Sequence, residues 1–177
     1  MADYCTVGFH ATTKANAKSI LFRHIFIDSN KRNEWLGRGF YFFAYFADAE
    51  QWCKTRKDLR GKETCILKAD LKYNSDQLFD LDNPADLKTL EDILRKVDEI
   101  NKEARIPLTI TRNASWEERI CAACNLVKVF YPNVGIIIYT FSNKQDTEFQ
   151  NKFFPQRQRQ MCVSDHSIIH NIRMEGS

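Results

Sequence analysis

Two short clusters hold the side chains best suited to chemistry. The first is Phe9–His10–Ala11–Thr12–Thr13, and the second is Trp35–Leu36–Gly37–Arg38–Gly39–Phe40–Tyr41–Phe42, followed by Ala49 and Trp52. A histidine that follows a short strand, beside hydroxyls and a helix start, is placed to hydrogen-bond a ligand rather than to pack. Gly-x-Gly before an aromatic strand lets backbone come close to a flat molecule. Tyr41 and Trp52 then offer rings that stack on that molecule and cover it.

These residues resemble a known family. His-x-Thr on a first strand, then Leu-Gly-x-Gly-Phe-Tyr-Phe, then a helix carrying an aromatic, is similar to the ADP-ribosyltransferases of the His–Tyr–Glu class, which include the poly- and mono-ADP-ribose polymerases and the diphtheria-toxin-like enzymes. The match covers residues 7–53. It implies an α+β fold, a split, mostly antiparallel β-sandwich with flanking helices that cradles NAD. The resemblance makes His10 the partner of the adenosine ribose hydroxyl of NAD and puts the Ala11 backbone on the nicotinamide carboxamide. It makes Thr12 a second ribose contact, Gly39 the close backbone approach, Tyr41 the ring stacked on nicotinamide and Trp52 a second stacking aromatic. Ala49 stands where the polymerase-type members carry a serine that bonds the carboxamide, so that contact is missing. The chemistry implied is loss of nicotinamide through an oxocarbenium-like sugar, held by positioned aromatics and a carboxylate.

That carboxylate normally opens a late strand. Here the segment is Gln158–Arg159–Gln160–Met161–Cys162–Val163, and Gln160 occupies the glutamate position. Glutamine is nearly isosteric with glutamate but carries no charge and cannot act as a base. Three explanations fit: an inactivated form made by Glu-to-Gln exchange at 160, a natural variant that uses another carboxylate (Glu148 or Asp165), or a binding module without catalysis. The first is preferred, since a toxic enzyme is easier to prepare with its acid neutralised.

Lys152, Arg157 and Arg159 beside Phe153 and Phe154 form a basic, aromatic patch next to that strand. Basic groups bind phosphates and aromatics stack bases. Phe154, Arg157, Gln158 and Arg159 are therefore the expected contacts to an acceptor, with nucleic acid, RNA first, ahead of protein. The bland reading is an ordinary exposed loop. Cys121-x-x-Cys124 and His166-x-x-x-His170 have metal-like spacing, but the pairs are far apart and the cysteines sit within an amphipathic helical pattern, so packing is expected and no metal.

These residues must be positioned by a modest set of elements. Tyr4–Phe9 reads as a strand, and Thr12 or Thr13 caps a helix over the following KANAKSILFRHIF. Residues 27–39 read as a loop and 40–46 as an aromatic strand. Ala47–Leu59 reads as a helix and Thr64–Leu71 as a strand. Pro84 opens a long helix with the stripe Leu87, Leu90, Ile93, Leu94, Val97 and Ile100. Ser115 with Glu118 forms a capping-box pattern for another helix through Phe130. VGIIIYTFS reads as a buried strand, residues 142–160 as a long polar connection, QMCVSD as a strand and SIIHNIRM as a last strand or short helix.

Length and composition fit one domain over residues 1–177, with 44% hydrophobic and 28% charged residues. The longest apolar run, Val134–Tyr139, is strand-sized and far short of a membrane span. No basic region followed by an apolar stretch opens the chain, and its six cysteines mostly sit in apolar runs, which favours reduced thiols and a cytoplasmic setting. Neither G-x-G-x-x-G nor G-x-x-x-x-G-K occurs, so dinucleotide-fold and phosphate-loop proteins are excluded. The net charge of +3 permits a nucleic-acid partner without demanding one. The expectation is an NAD-dependent mono-ADP-ribosyltransferase that takes NAD as substrate, acting as the toxin of a toxin–antitoxin or phage-defence system and held by an antitoxin or inhibitory partner, with no membrane partner. The alternatives are an NAD glycohydrolase and a non-catalytic NAD or ADP-ribose binder.

Overall fold

The first strand, β1 (Tyr4–Thr13), runs without a break into α1 (Lys14–Arg23). The chain continues through β2 (Phe40–Phe43), α2 (Phe46–Thr55), β3 (Thr64–Tyr73), β4 (Leu78–Asp80), α3 (Pro84–Glu103), α4 (Trp116–Phe130), β5 (Ile136–Ser142), β6 (Arg157–Val163) and β7 (Ile169–Glu175). The computed structural model describes residues 4–24, 26–31, 34–103, 114–142 and 157–175. No described helix is long and apolar enough to cross a membrane.

Seven strands form one sheet in the order β4-β5-β6-β2-β1-β3-β7. The edge pair β4–β5 is parallel and the other described pairs are antiparallel. The fold is therefore α+β, but one sheet stands where a sandwich of two was expected. Its seam lies between β1 and β2. Those strands share one register pair, Phe9↔Phe43, whereas β1 pairs with β3 along its whole length and β2 pairs throughout with β6.

Strand alternation sorts the residues onto two faces. On one face Phe40, Phe42, Leu67, Leu71, Ile136, Ile138, Met161 and Val163 bury against Ala17 and Ile20 of α1. The other face is divided. Tyr41, Ile137 and Cys162 meet Leu90, Ile93, Leu94, Val97, Ala123, Cys124 and Val127 of α3 and α4. Phe9, Ala11, Phe43 and Ile66 meet Ala49 and Trp52 of α2. Each fully buried large side chain contributes about 1.5–3 kcal/mol. These clusters hold the strands in register, because a one-residue slip would exchange the faces.

Local chemistry explains the boundaries. Thr13 caps α1 by accepting from the Asn16 amide, so the cap falls on the second threonine of the pair. Gly8–Thr13, which reads as a polar tail, is strand because β3 pairs with all of it. The Ser115–Glu118 capping box is present. α2 ends four residues before its expected Leu59, and turns carry the chain to Gly61, at φ +75°. β4 was not read from the sequence, and Leu87 of the α3 stripe is exposed. Arg157–Gln160, expected as loop, is the start of β6. The cysteines are free thiols, with Cys65, Cys121, Cys124 and Cys162 buried.

Candidate active site

Strands β1, β2 and β6 are neighbours in the sheet, so His10, Tyr41 and Gln160 come together from distant parts of the chain. They do not share a face. Alternation directs Gly8, His10 and Thr12 toward α1, with the His10 ring stacked on Phe40 at 4.0 Å. It directs Ala11, Tyr41, Gln158 and Gln160 toward the α2, α3 and α4 side, because Gln160 pairs with Phe43.

His10 is the link across the seam. Its Nδ1 lies 2.8 Å from the carbonyl oxygen of Tyr41. A carbonyl only accepts, so Nδ1 carries the proton and donates. Enclosure of the ring lowers its pKa to about 4, and the bond to Tyr41 opposes that shift only in part. At neutral pH the imidazole is therefore neutral, with Nε2 as an acceptor lone pair, and no partner for Nε2 lies among the described residues. That is the protonation state a ligand hydroxyl needs from a histidine.

Tyr41 is committed to its own loop. Its hydroxyl donates to the Gly37 carbonyl at 2.6 Å and accepts from the Leu36 amide at 3.1 Å. Burial pushes the phenol up, further raised by nearby Cys162, so it does not ionise. The structure gives Tyr41 an anchoring role for the 36–39 turn. Asn125 of α4 completes that turn by accepting from the Arg38 amide at 2.7 Å. Lys128 adds a contact to the Arg38 carbonyl. Gly39 was expected to let backbone approach a ligand. Here the close approach is to β6, because a Cβ at Gly39 would stand 2.6 Å from Cys162 Sγ and 2.7 Å from the Val163 carbonyl.

Trp52 is half-buried, 5.5 Å from the Phe43 ring, and the Arg56 guanidinium lies 4.7 Å over its centroid. One face of its indole is thus occupied. Thr12 is buried within β1, and Ala49 is fully buried in the α2 cluster.

Beside Gln160 the structure assembles a polar cluster that the sequence reading missed. Gln160 Nε2 donates to Gln158 Oε1 at 2.7 Å. Gln158, itself buried, lies near the carboxyl group of Asp48 in the first turn of α2. Burial raises the Asp48 pKa, and the nearby Gln158 amide works against that shift. Asp48 Oδ2 is buried without a hydrogen-bond partner among the described residues. An acidic residue in a first helical turn ordinarily reads as a partner of the helix dipole, which is why it carried no signal in the sequence.

The expected acceptor patch divides. Arg157 is exposed, and Gln158 is buried in the cluster just described. Arg159 turns to the other face and pairs with Asp80 at 2.8 Å. Phe154, with Lys152, Phe153 and Glu148, lies outside the described residues. Asp165, the other alternative carboxylate, accepts from the Ser167 amide and caps the turn His166–Ile168. Cys124 packs in the core under α4, Cys121 is buried with its thiol 3.6 Å from the Lys31 carbonyl, and His166 bonds Asp28 at 2.8 Å. Among the described residues no group of three or more potential ligands could hold a metal.

An open cleft of about 410 Å³ lies elsewhere, by β4 and the ends of α3 and α4, lined in part by Asp76, Phe79, Asp86 and Tyr131. It includes neither a histidine nor a thiol, and the chemistry is concentrated at β1, β2 and β6 instead. Compared with known proteins, the chain matches no family model, no curated protein and no solved structure.

Proposed function

We propose that the chain takes NAD as substrate in the manner of the His–Tyr–Glu ADP-ribosyltransferases, with the site at the seam of β1, β2 and β6. The observation that carries this reading is the neutral His10, its Nδ1–H held by Tyr41 across the seam and its Nε2 left to accept from a ribose hydroxyl. The strands bearing His10, Tyr41 and Gln160 are neighbours in the sheet, with His10 on the face opposite Tyr41 and Gln160, so the reading rests on His10. On this reading the C1′–N bond of NAD breaks, nicotinamide leaves with the bonding pair, and an acceptor attacks C1′ and loses its proton. Arg157 is the exposed cation placed to meet an acceptor phosphate, so nucleic acid, RNA first, stands ahead of protein. The biological role proposed is that of a toxin or phage-defence effector held by an inhibitory partner.

A specific observation favours a second reading, a non-catalytic NAD or ADP-ribose binder: the residue at the acid position is an amide engaged with another amide. One experiment separates them. The chain and its Q160E variant are incubated with adenylate-labelled NAD and with RNA, DNA or lysate protein. Label on RNA is expected. Free ADP-ribose alone indicates a glycohydrolase, and bound NAD without turnover indicates the binder. Failure of both forms to bind NAD by calorimetry overturns the proposal.

A further inference from the structure

The residues that close α2 and lead to β3 carry an unbalanced charge. Lys54, Arg56, Lys57, Arg60 and Lys62 stand there against one acid, Asp58. This stretch holds more positive charge than the net +3 of the whole sequence, so the remainder is slightly acidic. Local pairing absorbs part of it. Lys54 pairs with Glu50 at 3.2 Å, and Arg56 pairs with Asp58 at 2.8 Å while lying over Trp52. Lys57, Arg60 and Lys62 are exposed and make no ion pair among the described residues. The helix does not account for these three. A helix C-terminus favours cations only within its last turn, and α2 ends at Thr55.

The segment is held in shape. The amides of Leu59, Arg60 and Lys62 donate to the carbonyls of Arg56, Lys57 and Leu59 at 3.2, 3.3 and 3.1 Å. Lys31 pairs with Asp58 at 3.8 Å, and the Lys14 amide donates to the Glu63 carbonyl at 2.8 Å. Gly61, at φ +75°, has nothing within 4 Å of where a Cβ would stand, so the turn is open to a partner. Three unpaired cations are thus presented on an ordered turn, and their complement is an anion. The apolar surroundings decide its class. No large hydrophobic side chain is exposed between residues 46 and 63. A protein interface needs an apolar core, and attachment to a lipid surface uses buried apolar side chains besides charge. A nucleic-acid backbone asks only for cations at its phosphates. Arg157, at the start of β6, offers one such cation, and this turn offers three.

We infer that the turn over residues 56–62 is a docking surface for the phosphate backbone of a nucleic acid, with Lys57, Arg60 and Lys62 as the phosphate contacts. As the holding surface of an acceptor it rests on the reading above, but nucleic-acid binding itself is tested without NAD.

The probe is a labelled single-stranded RNA of about 20 nucleotides, followed by fluorescence anisotropy with the full chain between about 50 and 200 mM salt. Three phosphate contacts on a single strand predict a slope of about −2 in log K against log salt. K57Q/R60Q/K62Q is expected to bind at least about tenfold more weakly at the lowest salt and to flatten the slope. K88Q/R95Q/K96Q removes the same charge from α3 and should cost no more than about threefold, since distant charges are screened. No RNA binding by the wild-type chain overturns the inference, as does an equal loss in the two triple variants. Polyglutamate or phosphatidylserine vesicles bound as tightly as RNA would reassign the turn to an acidic protein or a lipid surface, and so overturn it too. A second measurement does not depend on a variant: in ¹⁵N-labelled wild-type protein, the amides of residues 57–62 are expected to shift on addition of RNA. Shifts confined to other residues defeat the inference. NAD affinity of K57Q/R60Q/K62Q should equal that of wild type. RNA held by the turn in a chain that binds no NAD overturns the NAD reading alone.

Discussion

The Nδ1–H of His10 donates to the carbonyl of Tyr41 at 2.8 Å across a seam that has a single backbone register pair, Phe9↔Phe43. A side chain thereby supplies the link that the ladder between β1 and β2 lacks. His10→Phe keeps a ring against Phe40 but removes the donor and leaves the Tyr41 carbonyl unpaired. It is expected to cost about 1–3 kcal/mol in urea denaturation and to weaken NAD binding as well. Unchanged stability would show that the bond carries no weight.

The same bond has a pH signature. The His10 pKa in the folded chain is about 4, against 6.5 for the ordinary side chain. The unfolded state therefore binds more protons between these values, and stability falls as pH falls through that window. Above about pH 6.5 this group is neutral in both states and contributes no slope. The loss by pH 4 is at most about 3 kcal/mol, because each pKa unit corresponds to 1.36 kcal/mol. Urea midpoints measured between pH 7 and pH 4 should show the decline, and His10→Phe should remove that share of it.

Tyr41 offers a clean separation of anchor from stacking platform. Its hydroxyl holds the Gly37 carbonyl and the Leu36 amide. Tyr41→Phe preserves the ring but leaves those groups unpaired, with an expected loss of about 1–2 kcal/mol in stability and little change in NAD affinity. A large affinity loss without a stability loss would instead put the Tyr41 hydroxyl itself in contact with the substrate.

Asp48 predicts the opposite pattern from an ordinary buried polar residue. Burial holds its folded-state pKa above the unfolded value, so the folded state favours the protonated form and loses stability as pH rises through that raised pKa. Asp48→Asn removes this cost at neutral pH. Its melting temperature is expected to hold or rise. A drop in melting temperature of several degrees would mark Asp48 as structural.

How much of this was legible in the sequence follows from range. Local signals were readable: the Ser115–Glu118 box, a cap at Thr12 or Thr13, the stripe from Leu90 to Val97 and the strand-like run after Gly135. What a single sequence does not carry is register. That His10 and Tyr41 face opposite sides depends on Phe9 lying opposite Phe43, a pairing across more than thirty residues of chain. Gly39 shows the same limit: the sequence points to backbone approaching a ligand there, whereas the close approach in the structure is to Cys162 and Val163. β4 was missed because three residues give too little periodicity. Asp48 was missed because the residue near its carboxyl group, Gln158, stands about a hundred positions later.

Position 160 brings these lines together. The packing accommodates an amide there: Gln160 Nε2 donates to Gln158 Oε1 at 2.7 Å, and that oxygen needs a donor. A glutamate would set a carboxylate against that oxygen and bring a second negative charge toward Asp48. Either Gln158 turns over to offer its N–H, or the new acid keeps its proton. The packing thus suits glutamine at 160 and disfavours a simple exchange in which the rest of the site is adapted to glutamate. Q160E is accordingly expected to lower stability at neutral pH by about 1–3 kcal/mol, with the loss growing as pH rises and the carboxyl ionises. The double variant D48N/Q160E should recover most of it, because one carboxylate then remains near Gln158. If Q160E alone is as stable as wild type and releases nicotinamide from NAD faster, the site is built for glutamate and Gln160 is the inactivating substitution. Urea denaturation of the three variants across pH, together with nicotinamide release measured by chromatography, decides between them.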